Sequence, residues 1–228
     1  VRAERAVARS AGGAGTGSTE GKAVPKLGMG PIRREQICRA AAAVIAREGF
    51  AGSTMRMVAE EAGVSTGMLN HYFASRQDLL TQALVFVSER AQARFREAID
   101  GIPPGIERLT ALLDSALADE EEVAETWRVW INAYGEAVRL PDLRHTIESR
   151  LHSWFELIDR ALEGLVPADV PDTIPWSWRF DAVLNGLAIQ ALTSEAVLDG
   201  RQIRDEVIRT LFPERHASLV AAAAAASG

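Results

Sequence analysis

Residues 54–73 read TMRMVAEEAGVSTGMLNHYF, and this stretch decides the fold class. Thr54 is placed to cap a helix whose apolar positions Met57, Val58 and Ala62 share one face. Gly63 ends that helix, Val64 fills the turn, and Ser65 caps a second helix. Two helices joined by a short glycine-containing turn form a helix-turn-helix. The second helix, Thr66 to Tyr72, reads poorly as a core element, because Thr66, Gly67, Asn70, His71 and Tyr72 are small or polar. It reads well at a nucleic-acid surface, where Gly67 permits close approach to a phosphate backbone and polar side chains meet base edges. The bland alternative is two core helices of a bundle.

Working outward, Ser75 caps a long helix with Asp78 at its third position, a capping box with Asp in place of Glu or Gln. Arg76 sits in that first turn, where the helix dipole disfavours a cation, so an external phosphate is its expected partner. Upstream, Ile37, Ala41, Val44 and Ile45 recur at helical spacing behind Pro31, and Gly49 supplies a stop. Downstream, helices are expected over 105–118, 121–140, 142–165, 176–198 and 203–212. Breaks fall at Pro103–Pro104, Pro141, the 167–175 stretch and Gly200. No run alternates with strand period. The expected fold is all-α, about nine helices: an N-terminal three-helix, homeodomain-like helix-turn-helix domain over 31–78, then a helical-bundle domain over 79–213. Residues 1–30, rich in Gly, Ala, Ser and Thr with scattered arginines, read as a disordered basic arm, and 214–228 as a flexible Ala-rich tail.

The chain has 228 residues, 47% of them apolar, and a net charge of -6, which at first argues against a polyanionic partner. The average conceals a split: residues 1–84 carry eleven Lys and Arg against seven Asp and Glu, the remainder fourteen against twenty-four. A basic end facing DNA and an acidic end facing something else fit this asymmetry. The single cysteine, Cys38, excludes an internal disulfide framework and suits a reducing cytoplasm. No apolar run approaches the roughly 18 residues of a membrane span, and no secretory signal is visible, so no membrane partner is expected.

The block AEEAGVSTGMLNHYFASRQDLL, Ala59 to Leu80, resembles the DNA-binding domain of TetR-family regulators, with the likeness extending over about residues 33–84. The resemblance implies that Thr54, Arg56 and Ser65 lie near phosphates. It implies also that Thr66, Gly67, Met68, Asn70 and His71 enter the major groove, while Tyr72 and Arg76 contact the backbone. Asn70 stands where many members carry Tyr, and Asn can bond adenine in a bidentate manner. The string PKLGM, 25–29, together with the helical layout, resembles the branch typified by BetI, the choline-responsive repressor.

All five Trp lie beyond residue 120. Trp127, Trp130 and Tyr134 share a helical face, and with Trp154 and Phe155 they are candidates for an effector site, where aromatic rings in an acidic domain would suit a quaternary ammonium. Plain core packing is the competing reading of the same stripe. Leu143, Ile147, Leu151, Phe155, Ile158 and Leu162, then Val183, Leu187, Ala191 and Leu198, form seams wider than one domain core needs. Ala182 and Gly186 allow close helix approach, so a homodimer through a four-helix bundle is expected. His145 and His152, about 10 Å apart along one helix, are too distant to share a metal. No phosphate loop, nucleophile motif or cysteine cluster is visible, so neither a catalytic residue, a metal site nor a cofactor is expected. The resulting reading is a repressor that binds double-stranded operator DNA and is released by a small-molecule effector tilting the helix that begins at Arg76. The rivals are a helical ligand-binding or interaction module without operator binding, and a small helical enzyme.

Overall fold

The computed structural model describes residues 29–166, 174–194 and 198–217. Among them the elements are α1 (Met29–Gly52), α2 (Met55–Ala62), α3 (Thr66–Tyr72), α4 (Arg76–Ile99), α5 (Ile106–Ala116), α6 (Glu121–Ala137), α7 (Pro141–Leu162), α8 (Trp176–Thr193) and α9 (Gly200–Leu211). A short helical stretch over 213–217 follows. The fold is all-α, as the periodicity predicts. The arm over 1–28, the end of the tail over 218–228 and the 167–173 connection lie outside the described residues.

Capping explains why the N-terminal elements form where they do. Thr54, Ser65 and Ser75 each accept a hydrogen bond from the backbone N–H three residues on, at 3.2, 3.2 and 3.0 Å. Asp78 reaches back to the Ala74 N–H at 2.9 Å. Gly63 closes α2 in the left-handed conformation, φ +64°, and accounts for the sharp turn into α3. In the C-terminal half, sequence periodicity overruns the ends: α6 stops at Ala137 rather than 140, and α8 at Thr193 rather than 198. The last helix starts at Gly200, earlier than expected, because Asp199 and Gln202 form a complete capping box.

Two cores organise the chain, and they do not divide at residue 78. The first joins Ile37, Ala41, Val44 and Ile45 of α1 to Val58, Leu69 and Phe73, to Leu79, Leu80 and Leu84 of α4, and to Val129, Ala133 and Ala137 of α6. Helix α1, which carries α2 and α3, therefore packs on α6 as firmly as on α4. The second core gathers Leu109, Leu112 and Leu113 of α5, Leu157, Ile158 and Leu162 of α7, Phe180 and Leu184 of α8 and Ile203, Val207 and Ile208 of α9.

The expected dimer seam on α7 needs correction. Leu143, Ile147, Ile158 and Leu162 are each at most 4% exposed, consumed by the chain's own cores. The outward apolar stripe lies on α8 instead, where Phe180, Leu184 and Ala188 face inward and Trp178, Ala182, Gly186 and Ile189 face out. Phe155 of α7 joins this stripe, its ring 5.5 Å from that of Trp178.

Candidate DNA surface and effector cavity

In α3 a single buried side chain, Leu69, anchors the helix to the first core, while Ser65, Thr66, Gly67, Met68, Asn70 and His71 are exposed and Tyr72 is half-buried. Thr54 and Arg56, at the start of α2, are exposed as well. Gly67 has no internal justification: its φ is not left-handed, and a Cβ there would meet only Ser65 Oγ, at 3.8 Å. A glycine in an exposed helix costs roughly 1 kcal/mol relative to alanine, and here it leaves the space beside the helix backbone open.

Two arginines set the pose of this unit. Arg34 of α1 donates to the Tyr72 carbonyl at 2.8 Å and lies over the Phe73 ring at 4.6 Å, clamping the C-terminus of α3. Arg76 donates through Nε to the Ser53 carbonyl and through Nη2 to the Phe50 and Ala51 carbonyls. The premise that Arg76 needs an external phosphate is thereby corrected. The carbonyl end of α1 carries partial negative charge, and a guanidinium fork is the right cation for it. The same turn is held from α6: Gly49, φ +70°, lies under Asn132, whose Oδ1 would be 2.9 Å from an added Cβ.

The second site is a small cavity of about 70 Å³ between α4, α6, α7 and α8. Trp127, Trp130, Tyr134 and Trp154 line it, together with Arg94 and Phe95 of α4 and Asp181 and Asn185 of α8. Phe155 does not line it. One residue beyond Trp154 it is turned 100° around the helix, toward Trp178. The Trp127 indole donates to the Ala116 carbonyl at 2.9 Å, and the Trp130 and Tyr134 rings lie 5.4 Å apart.

Asp181 is the residue that sequence reasoning missed. Its oxygens accept from Trp154 Nε1 at 2.7 Å and from Asn185 Nδ2 at 2.8 Å. Burial nonetheless pushes its pKa above the ordinary carboxylate value, the two hydrogen bonds opposing the shift. Burial and the Asp181 charge also raise the Tyr134 phenol. A legible signal existed: Asp181 is the only acid in the apolar helix WSWRFDAVLNGLAIQALT, with Asn185 four residues on. Four aromatic side chains lie around a carboxylate whose described partners are Trp154 and Asn185, an arrangement whose chemistry suits a small organic cation.

Residues 37–83 match the model of the bacterial regulatory proteins of the tetR family, and residues 105–225 match that of the C-terminal domain of BetI-type transcriptional repressors. The chain belongs to the TetR family, with a C-terminal domain of the BetI type. The HTH-type transcriptional regulator BetI of Vibrio vulnificus is 30% identical over 152 residues, which cover 64% of this chain and 77% of that protein. A TetR-family regulator from a Rhodococcus species superposes with a TM-score of 0.67 at 29% identity, over 78% of this chain and 96% of the other. A transcriptional regulator from Saccharomonospora viridis, solved in complex with choline, superposes with a TM-score of 0.68 at 25% identity, over 78% and 94%. As a TetR-family member the protein is a DNA-binding transcriptional regulator. No described helix is long and apolar enough to cross a membrane.

Proposed function

We propose that the protein is a homodimeric repressor that holds double-stranded operator DNA through α3 and releases it when a small quaternary-ammonium compound, choline-like in chemistry, occupies the aromatic cavity. The observation that carries the effector class is Asp181, a buried carboxylate among Trp130, Tyr134 and Trp154 that has no cation of its own. The choline complex of the Saccharomonospora viridis regulator supports the same class. Val123 and Trp127 line both the cavity and an open groove in which Asp119, Glu120 and Asp199 outnumber Arg201, while Asp114 is paired with Arg204, a lining that favours cations at the mouth.

Coupling to DNA follows from the packing. The aromatic face of α6 lines the cavity, and its opposite face, Val129, Ala133 and Ala137, is buried with α1. A ligand that shifts α6 against α4 therefore disturbs the turn held by Asn132 and Arg76, and with it the angle and spacing of the two recognition helices in the dimer. Release requires tighter binding to the DNA-incompetent state, with coupling of about 1–3 kcal/mol typical of such switches. Gel shifts of the upstream DNA of its own gene, with and without choline, test the reading. Specific binding that weakens steeply with salt and is lowered about tenfold by choline supports it; binding indifferent to choline and related quaternary amines removes the effector class.

A further inference from the structure

Most of the polar side chains that line the cavity have internal partners. The Ser88 hydroxyl donates to the Leu84 carbonyl, Thr126 to the Glu122 carbonyl, Gln92 to the Arg150 carbonyl, and Trp154 and Asn185 to Asp181. Arg94 is different. Its Nε is buried and makes no hydrogen bond, and among the described buried nitrogens without a partner it alone belongs to a residue of the cavity wall. Its one carboxylate is Glu122, at 3.7 Å, and that carboxylate is already gripped by Arg90 Nε at 2.8 Å and Nη2 at 3.2 Å. One acid thus serves two guanidinium groups, and the Arg94 Nε–H is left without an acceptor on the α4 side of the cavity. Asp181 does not absorb it: the groups facing that carboxylate are Trp154, Asn185 and the Tyr134 phenol, none of them cationic.

The cavity therefore has two uncompensated poles, a carboxylate on α8 and a guanidinium N–H on α4. We infer that the effector is a zwitterion, an alkylated ammonium compound bearing a carboxylate, with its cation among the aromatic rings at Asp181 and its carboxylate on Arg94. The inference rests on the cation site proposed above and adds a second anchor to it. A cation alone leaves the Arg94 N–H buried and unpaired, whereas a carboxylate completes it with a charge-assisted hydrogen bond. The polarity of the site also sorts ligands: an alcohol of the same length supplies an acceptor without charge and gains less.

Calorimetric titration of the full-length protein separates the two readings. The probes are trimethylammonium carboxylates of increasing chain length, the trimethylammonium alcohols of matching length, and the tert-butyl carboxylates, which keep the anion but replace the ammonium with a neutral group of the same shape. At the chain length that bridges the poles, the trimethylammonium carboxylate is expected to bind at least about tenfold more tightly than its alcohol. Arg94→Gln should bring that ratio close to one, and Arg94→Lys, which keeps the charge but lacks the Nε–H, should restore only part of it; thermal melts of each variant report the fold. Alcohols that bind as tightly as carboxylates in the wild-type protein overturn the Arg94 anchor and leave the cation site standing. Tert-butyl carboxylates that bind as tightly as the zwitterions overturn the cation site and leave Arg94 standing, and no binding by any probe overturns both.

Discussion

Asp181 and Arg76 are two charges with different accounts: Arg76 is satisfied by backbone carbonyls of the chain itself, whereas Asp181 is a carboxylate buried against the grain of its ionisation. Burial disfavours the ionised form of Asp181 in the folded protein and outweighs the two hydrogen bonds from Trp154 and Asn185, so its pKa lies above the value it would have unfolded. Stability associated with the protonated form is full below the ordinary Asp range and is lost as pH rises through the raised folded value. Asp181→Asn should therefore raise the melting temperature of the ligand-free protein at pH 8 while leaving it nearly unchanged at low pH, as scanning calorimetry would show. A bound cation favours the ionised form, so choline affinity of the wild type should increase as pH rises through the same titration, and Asp181→Asn should flatten that profile and weaken binding about tenfold or more. A choline affinity independent of pH in the wild type would remove Asp181 from the site. For Arg76 the decisive measurement is the salt dependence of operator binding. Its guanidinium is engaged with the Phe50, Ala51 and Ser53 carbonyls. Arg76→Gln should cost about 1–3 kcal/mol of stability and lower operator affinity with no change in the slope of log K against log salt. Arg56→Gln, at an exposed position, should lower that slope by about one. Equal loss of slope in both variants would return Arg76 to the phosphates.

At the scale of elements, α3 is a seven-residue helix attached by one buried leucine and held at its end by Arg34. It is too short to be stable alone, and its geometry is imposed by the turn before it and the clamp after it. That makes Gly67 a clean probe. Gly67→Ala meets no atom of the chain closer than 3.8 Å, so the helix should become more stable by up to about 1 kcal/mol while operator affinity falls. Thermal melts and gel shifts on one preparation check both halves, and unchanged DNA binding would show that nothing approaches the helix there. Helix α6 plays the complementary part, with one face on the aromatic cavity and the other in the core shared with α1, so that it touches both regions.

At the scale of the molecule, the outward stripe of Trp178, Ala182, Gly186 and Ile189 on α8 is the face a second copy would cover. Gly186 has nothing within 4 Å of an added Cβ, the condition for two helices to approach closely once paired. Gly186→Arg should give a folded monomer by sedimentation with the helical signal intact and operator binding reduced at least about a hundredfold, because a single half-site supplies too few contacts. A dimer that survives the substitution would place the interface elsewhere.

The division between sequence and structure follows the range of the forces involved. The ends of α2 and α3 and the start of α4 were legible to the residue, because Thr54, Gly63, Ser65 and Ser75 act on backbone groups within four positions of themselves, whereas α1 runs through the expected stop at Gly49 to Gly52. The exposed face of α3 and the aromatic face of α6 were legible for the same local reason, periodicity. Which stripes meet the chain's own core and which face outward is a matter of how distant helices stack, and there most of the α7 half of the expected seam is spent in the chain's own cores, while Ala182 and Gly186 of the α8 half stay exposed. The local argument about the helix dipole misplaced Arg76, since its partners lie 23 to 26 residues away. Only the tertiary structure could place Asp181 from α8 and Arg94 from α4 at one cavity, because neither has meaning as a pole until the other helices exclude water from both. The helix-turn-helix was thus determined by the sequence on its own, whereas the character of the ligand site was decided by assembly, since a charge acquires its pKa and its need for a partner from whatever surrounds it.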